Sequence, residues 1–174
     1  SVFYSASNFS SMAVQFPELG FLSIAAALVL MSGGIDLSIT GTAVFSGIVA
    51  ARIMLASDSP DGPSVMVVVL ACAAALLVGL ACGAVNAVLV AKVGIAPMLV
   101  TLGTMNLFTG IGIVLTKGSA LSGFPASFLA IGSGRLLGIP IPLLLFVLAT
   151  IILAFFLNKT KLGYKLCIYG SNPV

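Results

Sequence analysis

The stretch from Ser64 to Ala91, SVMVVVLACAAALLVGLACGAVNAVLVA, contains no charged side chain in 28 residues. As an α-helix rising 1.5 Å per residue it would be roughly 42 Å long, which exceeds the roughly 30 Å hydrocarbon core of a bilayer. Inside lipid every backbone amide and carbonyl must be paired, and a helix achieves this within one segment. The stretch therefore predicts a membrane-spanning helix that tilts, bends or protrudes.

The rest of the chain has a similar composition. Of its 174 residues, 60% are hydrophobic and 6% are charged, and its mean hydropathy is +1.29. An ordinary soluble domain is about a quarter charged, so these few charges cannot cover a surface that faces water. We therefore predict an all-α, polytopic transmembrane bundle of about five helices. They are expected at about 19–33, 37–56, 64–91, 96–115 and 141–157.

The segments between these runs are polar or rich in Gly, Ser and Pro. Residues 57–63 predict a turn, because Pro and Gly interrupt regular structure. Residues 116–140 lack helical periodicity, and we expect an extramembrane loop with a short surface element there. Residues 1–17 are interpreted as the end of a loop or as a short interfacial helix. Because the chain starts without a methionine, we expect it to be part of a longer protein.

Basic residues predict the orientation, because they favour the cytoplasmic side of a membrane. Three lysines lie between Lys159 and Lys165, directly after the last apolar run. Placing this cluster in the cytoplasm and alternating backwards puts Lys92 inside. The turn at 57–63 and the N-terminus then lie outside, and the break at 33–36 lies toward the inside.

Residue counts exclude several classes of function. The chain has no histidine, the commonest general base and metal ligand, so we predict no catalytic residue and no metal site. Cys72 and Cys82 would lie roughly 15 Å apart on one helix, too far for a disulfide, and with Cys167 we interpret them as apolar packing residues. The net charge of +3 is scattered, which argues against nucleic-acid binding.

Asp36 is the polar residue that raises most questions, because it stands between two apolar runs, directly after Gly33-Gly34-Ile35. A carboxylate at membrane depth needs water or a polar partner. Asp36 either caps the next helix by accepting hydrogen bonds from its first free amides, or it contacts a substrate or a neighbouring domain. The glycines would permit the sharp turn in both cases. Broken membrane helices often line transport pathways, which adds a pathway hypothesis.

Other polar residues lie within the predicted spans. A threonine in a membrane helix usually bonds to its own backbone, and an asparagine commonly bonds to another helix. Small residues recur every four positions from Ala71 to Ala87, which predicts close packing within the bundle or a dimer contact. The candidates for a pathway or gate are Gly33, Gly34, Asp36, Ser38, Asn86, Thr101 and Asn106.

Three blocks together resemble the ribose-type permease family of bacterial ATP-binding-cassette importers. They are LMSGGIDLS at 30–38, NAVLVAKVGIAPMLVTLGT at 86–104 and TKLGYKLCIYGSNP at 160–173. Their order and spacing follow the family, and the resemblance covers nearly the whole chain. One departure is that Gly41 comes one position later than the glycine in the family's pattern.

The resemblance implies that residues 1–174 are a partial transmembrane permease domain, a noncatalytic subunit in the bacterial inner membrane. Two permease subunits, identical or different, would form the pathway for a monosaccharide such as ribose. An extracytoplasmic binding protein would deliver the sugar, and ATPase subunits carrying ATP and Mg would bind on the cytoplasmic side. The chain itself would bind no cofactor.

Docking of the ATPase is expected to begin in a cytoplasmic loop at about 158–174. The candidate docking residues are Lys161, Gly163, Tyr164, Gly170, Asn172 and Pro173.

Two other transport functions remain open from the sequence. Related permeases serve nucleosides, and a nucleoside pathway would use similar polar contacts. An ion-coupled secondary transporter would need an intramembrane carboxylate, for which Asp36 is the only good candidate. A membrane enzyme is disfavoured, because the chain lacks histidine and a pair of acidic residues.

Overall fold

The computed structural model describes residues 4–57 and 64–171, and these residues are mainly helical. The helices are α1 (Ala6–Met31), α2 (Ile39–Leu55), α3 (Val65–Ala91), α4 (Pro97–Thr116), α5 (Ala126–Ser133), α6 (Ile141–Lys159) and α7 (Lys161–Ser171). A short antiparallel hairpin of β1 (Arg135–Leu136) and β2 (Ile139–Pro140) precedes α6. The prediction of an all-α polytopic bundle is confirmed.

Four helices of the described residues are long and apolar enough to cross a membrane. Their spans are Asn8–Met31, Val65–Ala91, Pro97–Thr116 and Ile141–Lys159. The remaining predicted helix, at about 37–56, corresponds to α2, which is apolar but has only 17 residues. At 1.5 Å per residue it is about 25 Å long, at the lower end of what a bilayer requires.

The chain divides into two compact units. One comprises Ile35–Phe128 and is called the α2–α4 unit; the other comprises the described parts of Ser1–Gly34 and Leu129–Val174 and is called the α1–α6–α7 unit. The division falls within α5.

In the α2–α4 unit, small residues let the helices approach closely. A Cβ added at Gly41 would lie 2.8 Å from the Met105 carbonyl oxygen, so this glycine is required where α2 meets α4. The predicted packing of small residues on α3 holds for one half of that helix. Ala71 is buried in the core with Met54, whereas an added Cβ at Gly79 or Gly83 would meet nothing within 4 Å. Ala50 and Val68 complete this buried cluster.

In the α1–α6–α7 unit, aromatic rings join α1 to α6. The Phe146 ring meets Phe16 and Phe21 edge-on, with centroids 5.5 and 5.6 Å apart, an arrangement that aromatic pairs favour. Gly20 makes room for that ring, because an added Cβ would overlap it. The Arg135 side chain of β1 also donates a hydrogen bond to the Ser10 hydroxyl.

The predicted start of the first helix is wrong, because α1 begins at Ala6 instead of Leu19. Pro17 followed by Glu18 resembles a helix start, where proline and acidic residues are both favoured. Membrane helices tolerate an internal proline, however, and here Pro17 lies inside α1. Residues 6–17 are therefore part of helix α1, and residues 8–17 are part of the candidate span, instead of a loop or a separate interfacial helix.

The extramembrane segment at 116–140 contains more structure than a loop. It holds α5, which agrees with a short surface element, and the β1–β2 hairpin, which was not predicted. Leu137 and Gly138 both have positive φ, 52° and 84°, as the tight turn between two antiparallel strands requires.

Candidate functional site

The turn before α2 is held by Asp36. Its Oδ1 atom accepts hydrogen bonds from the Ser38 amide at 2.7 Å and from the Ser38 hydroxyl at 2.6 Å. This is the local turn that aspartate side chains favour. The helix begins only at Ile39, so Asp36 bonds the residue before α2 instead of the first free amides within it. Asp36 therefore stabilises the turn ahead of α2 and does not cap the helix directly.

Asn86 of α3 extends this arrangement into the interior. Its Nδ2 atom donates to the Ser38 hydroxyl at 2.7 Å, across 48 positions of sequence. Ser38 is 1% exposed and Asn86 is 6% exposed. The Asn86 Oδ1 atom is buried and has no hydrogen-bond partner in the described residues. The three side chains form a continuous line, Asn86 to Ser38 to Asp36, which we call the polar chain.

Thr101 of α4 lies close to the same turn. Its hydroxyl donates to the Pro97 carbonyl at 2.9 Å and, over a longer 3.4 Å, to the Ile35 carbonyl. The shorter bond is the one expected of a threonine that bonds to its own helix. Thr104 bonds in that way to Val100 at 3.0 Å. Thr101 therefore adds a weak link between α4 and the turn.

The polar chain lies at one end of the α2–α4 unit. Ser38 immediately precedes α2, Asn86 lies five residues before the end of α3, and Thr101 lies four residues after the start of α4. At 1.5 Å per residue the last two are about 6 to 8 Å from their helix ends. On the orientation that the lysines predict, this is the cytoplasmic end.

The remaining pathway candidates are not part of this group. Asn106 is exposed on α4, and its Nδ2 atom donates to the Leu102 carbonyl of its own helix at 2.9 Å. Gly33 and Gly34 close the end of α1. Gly33 has φ of 80°, and its amide and that of Gly34 donate to the Leu30 and Val29 carbonyls at 3.0 and 3.1 Å. This is the glycine-dependent cap common at helix ends.

The predicted docking segment is a helix instead of a loop. Thr160 ends α6, and its hydroxyl accepts a hydrogen bond from the Gly163 amide at 3.0 Å, which caps the start of α7. An added Cβ at Gly163 would lie 2.5 Å from both the Leu157 Cα and the Phe156 carbonyl oxygen. Gly163 is therefore a packing residue at the corner between α6 and α7.

The outward side of α7 is formed by exposed residues at helical spacing. They are Lys161, Tyr164, Lys165 and Ile168, which we call the α7 face. Tyr164 is 68% exposed. Gly170 lies in the last turn of α7, and the candidates Asn172 and Pro173 lie outside the described residues.

The sequence-based search missed two polar residues, Gln15 and Glu18, because it placed them outside the first span. Both are exposed residues of α1, and both lie within the span Asn8–Met31. Their spacing with Ser11, four and then three residues, could have indicated one polar helix face.

Comparison with known proteins gives consistent matches. Residues 8–174 match the family described as the permease component of branched-chain amino acid transport systems. The chain is 35% identical over 166 residues to the autoinducer 2 import system permease protein LsrD of Enterobacter sp. (strain 638), covering 91% of this chain and 48% of that protein. It is 30% identical over 170 residues to the D-allose transport system permease protein AlsC of Escherichia coli (strain K12), covering 98% and 50%.

The chain spans about half the length of these curated relatives. No solved structure matches it significantly.

Proposed function

The chain belongs to the family of branched-chain amino acid transport system permease components, and from this premise we propose that it is a noncatalytic transmembrane part of an ATP-driven importer. It is a multi-pass protein of the bacterial inner membrane, with four apolar spans in its described residues. The observation that carries the proposal is the family match, which extends over residues 8–174.

The proposed cargo is a monosaccharide. One relative is named for D-allose, a hexose, and the three sequence blocks resemble ribose-type permeases. D-Ribose and D-allose are the two sugars to test first.

The proposed source of energy is a partner ATPase that holds ATP and Mg on the cytoplasmic side. An extracytoplasmic solute-binding protein would deliver the sugar, and a second permease subunit would complete the pathway. The ATPase can shift the permease between two states only through contacts that differ between those states. The α7 face is the proposed place for such contacts, because its residues are exposed and include Lys161 and Lys165 of the lysine cluster that begins at Lys159.

The polar chain is the proposed cytoplasmic gate. Asn86, Ser38 and Asp36 join α3 to the turn before α2 through two side-chain hydrogen bonds of 2.7 and 2.6 Å. These two hydrogen bonds fix the turn before α2 to α3, and breaking them would release the turn. The buried Asn86 Oδ1 atom has no partner among the described residues, which favours a second arrangement in which it is bonded.

Uptake by the complete transporter, reconstituted in vesicles, tests the proposal. We expect labelled D-ribose or D-allose to accumulate when ATP is present, and to continue to do so after the proton and sodium gradients are collapsed. Uptake that needs an ion gradient and ignores ATP would instead indicate a secondary transporter. Accumulation of labelled uridine in place of both sugars would identify a nucleoside importer.

A further inference from the structure

The polar side chains of the α1 span share one helix face. Ser11, Gln15 and Glu18 follow at spacings of four and three residues, and all three are exposed. In the part of the chain that the structure describes, Gln15 and Glu18 make no hydrogen bond and no ion pair. We call these three residues the α1 stripe.

Most of the α1 surface that packs on α6 lies opposite this stripe. Phe16 and Gly20, which contact the Phe146 ring, lie two residues before and two residues after Glu18, roughly 160° around the helix from it. Phe21 also meets that ring and stands about 60° from Glu18, so the α6 contact borders the stripe on one side. Packing within the α1–α6–α7 unit nevertheless leaves all three residues of the stripe exposed.

Glu18 lies deep in the candidate span. It is ten residues after Asn8 and 13 residues before Met31, the two ends of that span. An ionised side chain at such depth is costly in lipid, and such residues face a water-filled cavity or a polar partner. No described residue supplies that partner, so it must be water, the solute or a segment outside the described residues.

We propose that the α1 stripe lines the water-filled part of the sugar pathway and that the Glu18 carboxylate binds hydroxyl groups of the passing monosaccharide. This inference rests on the proposed function. An ionised carboxylate only accepts hydrogen bonds, and two neighbouring sugar hydroxyls can donate to its two oxygens. Bonds to a charged acceptor are stronger than those between neutral groups.

The extent of the stripe favours a solute over a partner helix. A lysine or arginine from another helix would explain Glu18 alone. A hydrated pathway also explains Gln15, which continues the polar surface from Glu18 toward the start of the helix. Gln15 both donates and accepts, which suits a sugar that does the same.

Access from water is tested by thiol labelling of the complete transporter. Cys72, Cys82 and Cys167 are replaced by alanine, and Glu18→Cys is compared with Phe16→Cys. Phe16 is the control, because it is at nearly the same depth, is 57% exposed, and stands roughly 160° around the helix from Glu18 and 100° from Gln15. Open membrane fragments receive a charged, membrane-impermeant thiol reagent.

We expect Glu18→Cys to react and Phe16→Cys to remain unmodified, with D-ribose or D-allose slowing the reaction at position 18. No reaction at position 18, or equal reaction at both positions, would overturn the aqueous lining.

Sugar binding is tested by uptake kinetics of Glu18→Gln, which keeps the shape but removes the charge. We expect KM for the transported sugar to rise about tenfold, because a neutral acceptor forms weaker hydrogen bonds than a charged one. A tenfold change corresponds to about 1.4 kcal/mol of binding free energy. Ser23→Ala is the control, because the Ser23 hydroxyl bonds to the Leu19 carbonyl of its own helix at 2.8 Å. Its KM should be unchanged.

The remaining outcomes separate the two proposals. An unchanged KM together with loss of a partner subunit from Glu18→Gln would show a helix contact and overturn this inference alone. An unmodified transporter that accumulates neither D-ribose nor D-allose with ATP would overturn the proposed function first.

Discussion

The polar chain and the α7 face use polar side chains in opposite ways. Ser38 and Asn86 are almost fully buried and bond to each other at 2.7 Å. Lys161 and Tyr164 on α7 are exposed, and their side chains make no hydrogen bond within the described residues. Buried polar groups are fixed by their neighbours and hold helices together, whereas exposed ones remain available to a partner. The first region should therefore govern stability and gating, and the second should govern assembly.

The largest loss of stability is expected at the corner that supports the α7 face. Gly163→Val should lower the free energy of unfolding by about 3 kcal/mol, because the new side chain meets backbone atoms that cannot move alone. Thermal unfolding of the purified complete permease measures this. Gly79→Ala is the control, since an added Cβ there has open space. Equal melting temperatures for the two variants would contradict the tight corner.

A smaller loss is expected at the centre of the polar chain. Ser38→Ala removes the hydroxyl that accepts from Asn86 and donates to Asp36, and leaves the buried Asn86 donor without its bond. We expect about 1 to 3 kcal/mol less stability, the cost of an unsatisfied buried group. Ser46→Ala, whose hydroxyl bonds to the Ala43 carbonyl of α2 at 3.1 Å, should change little. A loss of equal size in Ser46→Ala would show that the bond to Asn86 is not responsible.

A still smaller effect on stability is expected at Asn86. Asn86→Leu removes one hydrogen bond but also removes the buried Oδ1 atom that has no partner, so stability should stay within about 1 kcal/mol. ATP-driven sugar uptake should nevertheless fall severalfold, because the proposed gate loses its link to α3. Normal uptake with normal stability would show that Asn86 has no part in gating.

The smallest change in stability is expected on the α7 face. Tyr164→Ala should leave the unfolding free energy within about 0.5 kcal/mol, because this exposed side chain supports no packing. Binding of the ATPase should weaken about tenfold, because the proposal makes Tyr164 one of its main contacts. Co-purification at increasing dilution measures this. Asn158→Ala is the control, since its Nδ2 atom bonds to the Ala154 carbonyl of α6 at 2.8 Å.

The apolar runs predicted the helices well where they were uniform and clearly bounded. Helices α3, α4 and α6 begin and end within two residues of the expected positions. Pro97 marks the start of α4, and Lys92 marks the end of α3; both are ordinary signals at those positions. The start of α1 was not predictable in this way, because Pro17 and Glu18 imitate a helix start within a continuous helix.

The sequence identified the residues of the polar chain but could not pair them. Asp36, Ser38 and Asn86 are polar residues in or beside apolar runs, which makes each a candidate. The bond between Asn86 and Ser38 spans 48 positions and depends on how the helices pack. Helix α7 was missed for a different reason. The family resemblance implied a cytoplasmic loop there, although the Thr160 cap and the spacing of Leu162 and Leu166 are compatible with a short helix.

One paired measurement tests this division of roles most directly. Thermal stability and ATPase retention are recorded on the same preparations of Ser38→Ala and Tyr164→Ala permease. We predict that Ser38→Ala unfolds at a lower temperature yet retains the ATPase while folded, whereas Tyr164→Ala unfolds normally and loses the ATPase. If Tyr164→Ala retains the ATPase, or if both variants lose stability and ATPase together, the division is contradicted.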